Sequence, residues 1–281
     1  MISFFTVPKA FRGHVGVIQR NAIDNWSRLA PGVQVILVGG EPGIAEAAAA
    51  VGALHVPDVE RSPFGAPLLD DVFRTATRLA VHDTLCFVNA DILFRGDVAG
   101  TIAMAGPLSP FLVVGESTDT DVRQPLPFDR SEWRASLPAG GRRRGPLAID
   151  YFFFSRGVFE DVPPFAAGRA RFDNWLVWQA IDRGDAVIDA TAMLDAVHQR
   201  HDYGHLAGGR WEAYRGPDAR RNEALAGIRC YLHLHSIADA RFVMSADGAR
   251  RRRWRFGFLR QLWLRVMGCL APQGAGTSSR R

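Results

Sequence analysis

Asn89 and Asp91 are two polar side chains that directly follow an unbroken apolar run, Leu85–Val88. Such a short run is typical of a strand buried on both faces, and ligands of open α/β sheets bind just beyond the carboxyl ends of such strands. Alternation along the chain places both side chains on the same side. A carboxylate and an amide in this arrangement suit a hard divalent cation that also binds phosphate. The alternative is a strand that ends in a turn with a capping aspartate.

A histidine cluster further along the chain is the second group that could do chemistry. His198, His201 and His205 lie within eight residues, together with an aspartate. By composition, such a group resembles a transition-metal site. However, the segment has no helical face, and Tyr203 and Gly204 favour a loop. The alternative is a polar loop whose histidines bind backbone groups, which is the simpler interpretation for His201 and His205.

Acidic residues at three further places complete the candidates. Asp173 opens a helical pattern, so it is either the N-cap of that helix or a general base at the rim of a pocket. Glu41 follows the glycine turn Gly39–Gly40, where the backbone can approach a ligand closely. Asp70 and Asp71 stand at the start of another helix, where they either serve a site or only complement the positive helix end.

Alternating strands and helices position these candidates. The apolar pattern predicts strands at Ile2–Val7, Val33–Val38, Leu54–Val56, Asp83–Ile92, Phe111–Gly115, Ala148–Ser155 and Val187–Ala190. It predicts helices at Val15–Leu29, Ile44–Val51, Asp70–Leu79 and Asp173–Ile181. This alternation is typical of βαβ units with right-handed crossovers. The polar stretch Glu116–Gly145 is predicted to be a long loop, which in a compact domain is usually functional or mobile.

The composition limits the class of protein. The 281 residues are 47% hydrophobic and 22% charged, which is typical of a soluble globular protein with an ample core. The net charge is +5, and its excess is concentrated in Arg142–Arg144, Arg220–Arg221 and the segment from Arg250 onward. Three scattered cysteines form neither a disulfide framework nor a zinc spacing, so a reducing cytosol fits. No run reaches the ~18 apolar residues of a membrane span, and we expect no signal segment.

Three common motifs are absent from the sequence. It contains no phosphate-binding loop of the G-x-x-x-x-G-K-[ST] type and no G-x-G-x-x-G after the first strand. It also contains no Gly-x-Ser-x-Gly elbow. Nucleotide-dependent dehydrogenase and serine hydrolase chemistry therefore lack support.

The order of the remaining motifs resembles that of bacterial, family-2-like nucleotide-sugar glycosyltransferases of the GT-A fold. The matching segments are Phe4–Pro8, Val35–Glu41, Val88–Asp91, Phe172–Trp175 and Val197–Gln199. A group of bacterial GT-A-like proteins also shares the stretches found here at Pro67–Asp71, Val88–Ile92 and His198–Tyr203. The resemblance covers roughly residues 1–235. It implies an α/β fold with a Rossmann-like central mixed β-sheet and flanking helices.

The resemblance also implies an activity, namely transfer of a hexose-type sugar from a nucleotide-diphospho-sugar donor to a saccharide or lipid-linked acceptor. Asp91 and His198 would bind Mn²⁺ or Mg²⁺ at the donor diphosphate, and an imidazole ligand favours Mn²⁺. Asp173 would be the catalytic base of an inverting mechanism. The residues implied to bind the donor are Thr6, Pro8, Glu41, Asp70, Asp71, Asn89 and Asp91.

Two positions depart from the family pattern. The first position of the DxD-type motif is Asn89, whose amide can hydrogen-bond a ribose or a metal-bound water but adds no charge. Asp91 therefore carries most of the metal prediction. Asp173 is followed by Asn174, where many members have an acidic residue, so an inverting mechanism is favoured rather than required.

We expect one glycosyltransferase domain over residues 1–249 and a basic, amphipathic and partly disordered tail over residues 250–281. Leu259, Leu262 and Val266 recur in the tail at helical spacing beside arginines, which suits an anionic membrane surface. A helix packed on the domain, or a disordered end, is the alternative. The expected location is the cytoplasm, either in solution or, if the tail binds lipid, at the inner face of the cell membrane. Nucleic acid is not an expected partner, because basic residues are not interleaved along the folded part.

Two other functions fit the same fold. A sugar-phosphate nucleotidyltransferase normally has a Gly-rich segment with Arg and Lys directly after the first strand, where this chain has only Pro8–Lys9. A non-catalytic nucleotide-sugar-binding relative would keep the fold without the chemistry, and Asn89 leaves room for it. Loss of donor turnover in Asp91→Ala tests the glycosyltransferase. Calorimetry with UDP-, GDP- and dTDP-sugars plus Mn²⁺ tests the third function, which is favoured if none of them binds.

Overall fold

The structure is a computed structural model that describes residues 1–138, 141–202, 204, 208–232 and 234–252. The strands are β1 (Ser3–Thr6), β2 (Gln34–Val38), β3 (Leu54–Val56), β4 (Thr84–Val88), β5 (Ile92–Phe94), β6 (Phe111–Val114), β7 (Ser117–Thr120), β8 (Arg142–Arg143), β9 (Tyr151–Ser155), β10 (Ala186–Asp189), β11 (Ala196–Gln199), β12 (Phe242–Ser245) and β13 (Gly248–Arg251). The α-helices are α1 (Gly13–Ser27), α2 (Ile44–Val51), α3 (Leu69–Leu79), α4 (Val98–Ala103), α5 (Phe172–Arg183), α6 (Thr191–Leu194), α7 (Gly209–Arg215) and α8 (Pro217–Leu232).

The central sheet has the strand order β13-β12-β10-β6-β9-β4-β1-β2-β3. Strands β4, β1, β2 and β3 run parallel, whereas β9 is antiparallel to both of its neighbours, β4 and β6. The sheet is therefore mixed. Helices α1 and α2 pack on one face, and α3 and α5 pack on the other. The predicted α/β fold with a Rossmann-like central mixed sheet and flanking helices is confirmed.

Strand β1 shows why the sheet needs helices on both faces. Phe4 stacks on Trp26 of α1, with ring centroids 5.9 Å apart, whereas Phe5 packs edge-on against Phe73 of α3 at 5.0 Å. Successive side chains of a strand point to opposite faces, so both faces of β1 must be covered. Leu85–Val88 of β4 are buried in the same way, which confirms the predicted buried strand.

A smaller sheet, in the order β5-β11-β7-β8, lies beside the end of β4. Strand β11 runs antiparallel to β5 and parallel to β7. In this register His198 is opposite Ile92 on one side and opposite Asp119 on the other. The small sheet therefore brings His198 next to the residue that follows Asp91.

The prediction of a single strand over Asp83–Ile92 is wrong. Strands β4 and β5 are separate, and Asn89–Asp91 form a turn between them. The Asn89 N–H donates to the Asp150 carbonyl at 2.9 Å, and the Ile92 N–H donates to the Asn89 carbonyl at 3.2 Å. The buried residues on either side of this turn look like one apolar run in the sequence.

The prediction of a continuous loop over Glu116–Gly145 is also wrong. The segment contains β7, β8 and a short 3₁₀ helix at Ser131–Ser136. Strand β7 has the polar sequence Ser-Thr-Asp-Thr and forms because its backbone pairs with β11, which is distant in sequence. Strand formation here depends on tertiary context, which an apolar pattern does not report.

Two local predictions near the site also need correction. Helix α5 begins at Phe172 with Arg171 as its N-cap, so Asp173 lies in the first turn and is not the cap. Its N-cap has φ 88°, a left-handed conformation that is uncommon outside glycine. His198 lies in the buried strand β11 rather than in a loop, because β5 and β7 pair with both of its edges.

The described part of the chain contains no helix that is long and apolar enough to cross a membrane. Strand β13 continues to Arg251, and Arg252 donates to Asp189 at 2.7 Å, so the chain stays with the sheet past residue 249. The division into a domain and a tail remains a prediction. Residues 253–281, with the predicted amphipathic helix, lie outside the described residues.

Candidate functional site

Asp91, His198 and His201 meet at the carboxyl end of β4. The Asp91 Oδ2 atom accepts a hydrogen bond from His201 Nε2 at 2.9 Å and lies 3.8 Å from His198 Nε2. The three candidate ligand atoms all lie within 4.8 Å of one another. The structure therefore brings the two predicted metal ligands together. It adds His201, for which the sequence favoured a place in a polar loop in contact with backbone groups. His205 lies outside the described residues.

Asp119 holds the imidazole of His198 from its other side, with 2.8 Å between His198 Nδ1 and Asp119 Oδ1. An ionised carboxylate can only accept, so Nδ1 carries the proton of this hydrogen bond. In a neutral imidazole the lone pair is then on Nε2, the atom nearer Asp91. A carboxylate behind a ligating histidine is typical of metal sites, where it fixes tautomer and ring orientation.

Asn89 donates its side-chain amide to a further carboxylate, Asp150, at 3.1 Å. Asp150 is buried and also accepts from Ser117 Oγ at 2.7 Å. Arg144 lies 3.6 Å from both Asp150 and Asp119, so its guanidinium connects the two carboxylates. Asn89 therefore anchors the turn that carries Asp91, and its predicted contact with the donor remains a prediction.

The charge state of the cluster follows from burial and close partners. Burial raises the pKa of Asp91, but His198, the hydrogen bond from His201 and the charge of Lys9 together hold it well below its usual range. Burial lowers the pKa of His198, whereas Asp91 and the hydrogen bond to Asp119 raise it, with a net increase. Asp91 is therefore ionised at neutral pH.

The residues of this cluster fit a divalent transition metal. Asp91 Oδ1 is buried and has no hydrogen-bond partner among the described residues, although buried polar atoms nearly always have one. A ligand on this atom would satisfy it. One carboxylate and two imidazoles suit Mn²⁺ better than Mg²⁺, which prefers oxygen ligands.

Asp173, the predicted base, lies in the first turn of α5. Burial raises its pKa to about 6; the hydrogen bond from the Asn174 N–H at 2.9 Å opposes this shift, and the charge of Asp150 adds to it. A carboxylate with this pKa is ionised at pH 7 and still basic enough for proton transfer. Asp173 is not among the described residues that line the cavity next to the cluster.

A cavity of about 1070 Å³ opens beside the metal cluster. Its described lining includes His201 and two of the predicted donor-binding residues, Pro8 and Glu41. The Glu41 carboxylate forms an ion pair with Arg61 at 3.0 Å. Small-molecule sites have volumes of roughly 300–1,000 Å³, so this cavity is large enough for a nucleotide sugar.

The lining of the cavity is strongly basic. Its described charged residues are Lys9, Arg12, Arg61, Arg123, Arg169 and Arg200 on the positive side and Glu41, Asp202 and Glu212 on the negative side. Positive charges thus outnumber negative charges two to one, before either of the two lining histidines is protonated. A cleft lined by one sign of charge concentrates ligands of the opposite sign.

Thr6, Asp70 and Asp71 are also predicted to bind the donor, but they are not among the described residues that line the cavity. Thr6 is buried within β1, with 1% of its surface exposed. Asp71 accepts from the Glu60 N–H at 2.8 Å and from Arg74 at 2.6 Å. Asp70 has a buried Oδ1 with no partner among the described residues. Donor binding by these three residues remains a prediction.

Several residues of the site were not predicted from the sequence. Asp119 and Asp150 lie in segments whose pairing with distant strands brings them to the cluster, and no local pattern reports that pairing. Arg169 follows Gly168 in a loop and pairs with Glu212 at 3.2 Å. Lys9 could have been found, because it follows the first strand directly, at the edge where a ligand is expected.

Comparisons with known proteins add likenesses to solved structures. No family model matches the chain, and no curated protein matches it. The Mycobacterium tuberculosis glucosyl-3-phosphoglycerate synthase in complex with Mn²⁺, UDP-glucose and phosphoglyceric acid is 18% identical, with a TM-score of 0.49, and the match covers 82% of this chain and 80% of that one. The same synthase with Mg²⁺ and UDP gives 18% identity and a TM-score of 0.44, over 72% of each chain. S. aureus TarS is 9% identical, with a TM-score of 0.47, over 71% of this chain and 36% of TarS.

None of the three TM-scores reaches 0.5, and all three identities are below 20%. These likenesses therefore carry no conclusion about the function of this chain.

Proposed function

We propose that the chain is a metal-assisted glycosyltransferase that moves a sugar from a nucleotide-diphospho-sugar donor to a saccharide or lipid-linked acceptor. The observation that carries this proposal is the cluster of Asp91, His198 and His201, which shares His201 with a large basic cavity. A candidate metal cluster and an excess of positive charge, at the carboxyl ends of parallel strands, are the features that a diphosphate ligand needs.

The donor would lie over the carboxyl ends of β1 and β2. Pro8 and Glu41 follow these strands and line the cavity, where Glu41 would accept from the base or the ribose. Lys9 stands between this region and the metal cluster: burial lowers its pKa, whereas the charge of Asp91 raises it. Its ammonium would contact the diphosphate.

Asp91, His198 and His201 would hold the divalent ion, and this donor set favours Mn²⁺ over Mg²⁺. When bound, the ion supplies Lewis-acid stabilisation of the negative charge on the departing nucleoside diphosphate. The protein's contribution is to present the ligand atoms in a fixed arrangement. Asp119 holds the His198 tautomer, and Asn89 anchors the turn that carries Asp91.

Asp173 would act as the general base. It would take the proton of the acceptor hydroxyl while that oxygen bonds to the anomeric carbon, and the bond from this carbon to the diphosphate oxygen would break. The electron pair would leave with the nucleoside diphosphate, and the proton would stay on Asp173. Attack from the face opposite the leaving group inverts the anomeric carbon, which is the favoured stereochemistry.

The location of the protein is also a proposal. We propose that it acts in the cytoplasm, and that the arginine-rich segment after residue 250 brings it to an anionic membrane surface where lipid-linked acceptors lie. Cosedimentation of the full chain with phosphatidylglycerol vesicles tests this, with a chain ending at residue 252 as the comparison.

The test of the function is calorimetric titration with UDP-, GDP- and dTDP-sugars in the presence of Mn²⁺. Asp91→Asn keeps the shape of the side chain and removes its charge. Asp83→Asn is the matched control, because Asp83 precedes the same strand and its side chain is 99% exposed.

We expect one class of nucleotide sugar to bind the wild type and Asp83→Asn equally, and to bind Asp91→Asn at least about 100-fold more weakly, since a first ligand of the ion is lost. If no nucleotide sugar binds the wild type, the proposal fails. Equal binding by both variants would contradict the assigned metal site.

A further inference from the structure

The positive charges of the cavity exceed what the donor requires. Three of its six Lys and Arg residues already have carboxylate partners: Arg61 pairs with Glu41, Arg169 with Glu212, and Arg123 with Asp121. Lys9, Arg12 and Arg200 line the same cavity, and within the described residues none of them has an ion pair within 4.0 Å. Three cations of one cavity thus have no acidic partner of their own in the described part of the chain.

Arg12, Arg123 and Arg200 come from three elements that meet beside the metal cluster. The Arg200 N–H donates to the Thr120 carbonyl at 2.8 Å, which joins the end of β11 to the end of β7. His14 Nε2 lies 2.7 Å from the Val122 carbonyl, which joins the start of α1 to the segment that follows β7. These contacts join the three backbone segments that carry the arginines.

The donor's own charge is met elsewhere. A divalent ion bound to the ionised Asp91 keeps about one net positive charge, and the ammonium of Lys9, which is electrostatically coupled to Asp91, supplies a second. Together they match the two negative charges of a nucleotide-sugar diphosphate. Arg12 and Arg200 line the cavity with no ion pair within 4.0 Å among the described residues, although the charge of Arg200 also acts on Asp119. Like charges held close together repel, and a bound anion removes that repulsion.

We propose that the acceptor of the transferred sugar is itself an anion, bearing a phosphate or a carboxylate, and that Arg12 and Arg200 bind this group. Arg123 lines the same cavity and would join them, because its ion pair with Asp121 is exposed and therefore weak. This inference rests on the proposed glycosyltransferase function and specifies its acceptor. The planar guanidinium forms paired hydrogen bonds with carboxylate and phosphate oxygens, which gives orientation as well as affinity. The acceptor hydroxyl would be oriented by the anion held at this side of the cavity.

The experiment compares three probes of similar size: glucose 6-phosphate, glucuronate and glucose. Their dissociation constants are measured by ligand-observed NMR on the full chain with Mn²⁺, both with and without UDP. The variants are Arg200→Gln and the double substitution Arg123→Gln with Arg200→Gln. Arg28→Gln is the control, since it removes the same charge from an exposed arginine that caps the other end of α1 and forms an ion pair with Asp24.

We expect at least one charged probe to bind about tenfold more tightly than glucose, because hydrogen bonds to ionised groups are the strong ones. Arg200→Gln should weaken the binding of that probe severalfold, and the double variant should weaken it more. The affinity for UDP should be unchanged in both, and Arg28→Gln should bind every probe as the wild type does. A stronger effect on glucose 6-phosphate than on glucuronate identifies a phosphate, and the reverse identifies a carboxylate.

Equal binding of all three probes would overturn the inference. The inference would also be overturned if the double variant lost affinity for UDP by the same factor as for the charged probe, because the arginines would then bind the donor. A wild type that binds a charged probe but none of the UDP-, GDP- and dTDP-sugars would refute the proposed glycosyltransferase function and leave the anion site standing, so the two failures are distinguishable.

Discussion

Replacing Asp119 by Ala should weaken Mn²⁺ binding without touching a metal ligand. Asp119 accepts from His198 Nδ1 at 2.8 Å, and this hydrogen bond keeps the lone pair of a neutral imidazole on Nε2, towards Asp91. Without it, the ring can rotate, and the proton can occupy the atom that should bind the ion. Asp119 is thus a positioning residue, whose loss appears first in the affinity for the ion.

The loss of Mn²⁺ affinity follows from the energy of the hydrogen bond between His198 and Asp119. A hydrogen bond to a charged group contributes about 1.5–3 kcal/mol. The side chain of Asp119 is 23% exposed, so water screens it in part and the lower half of that range applies. This corresponds to a loss of about 12-fold to 40-fold in affinity, within the 10–100-fold found when outer-shell partners of metal ligands are replaced.

The assay is titration of the protein with Mn²⁺ alone, followed by electron paramagnetic resonance of the free ion. Asp119→Asn should recover part of the affinity, since its amide oxygen can still accept from Nδ1. Asp121→Asn is the matched control, because it lies two residues further along and pairs with the exposed Arg123. Binding of Mn²⁺ to Asp119→Ala within twofold of the wild type would refute the assigned role.

Three further outcomes follow from Asp173 and the core. Asp173→Asn should lower kcat about 10²- to 10⁴-fold with donor affinity unchanged. The wild-type kcat should fall below about pH 6, because the base must be ionised and burial raises the pKa of Asp173 to about 6. A pH profile of kcat without this fall on the acid side would contradict the assignment. The same substitution should stabilise the fold at pH 8 by at most about 3 kcal/mol, since the raised pKa makes the native state disfavour the charged form above pH 6. In denaturant titrations this gain should shrink towards pH 4, where the native carboxyl is protonated; an equal gain at both pH values would be inconsistent with it. Phe73→Ala should lower the free energy of unfolding by about 3–5 kcal/mol, because Phe73 is 1% exposed and packs against Phe5 and Phe87. A loss below about 1 kcal/mol would contradict this packing.

The parts of the fold that were predicted correctly depend on local patterns. The predicted helix over Ile44–Val51 and strand over Leu54–Val56 have the observed bounds, since Gly43 and Gly52 border the Ala-rich helix and Pro57 follows the strand. The apolar run of β4 also identified the sheet edge at which Asp91 and His198 meet.

The parts that were not predicted depend on long-range pairing. Strand β7 is polar and exists because β11 pairs with it, so neither the strand nor the contact of Asp119 with His198 has a local signal. His201 joins the metal cluster because the chain turns back over Asp91 after β11. A sequence pattern reports the type of each residue, whereas contacts between segments about 80 to 110 residues apart appear only in the structure.

The most direct test of the central claim is turnover of the donor. The nucleoside diphosphate released from the nucleotide sugar that binds should be measured in the presence of Mn²⁺ and an acceptor, for the wild type, Asp91→Asn and Asp83→Asn. We expect release by the wild type and Asp83→Asn, its loss in Asp91→Asn, and its loss when Mn²⁺ is removed by a chelator. Release that persists in Asp91→Asn, or that does not respond to the chelator, would contradict that claim.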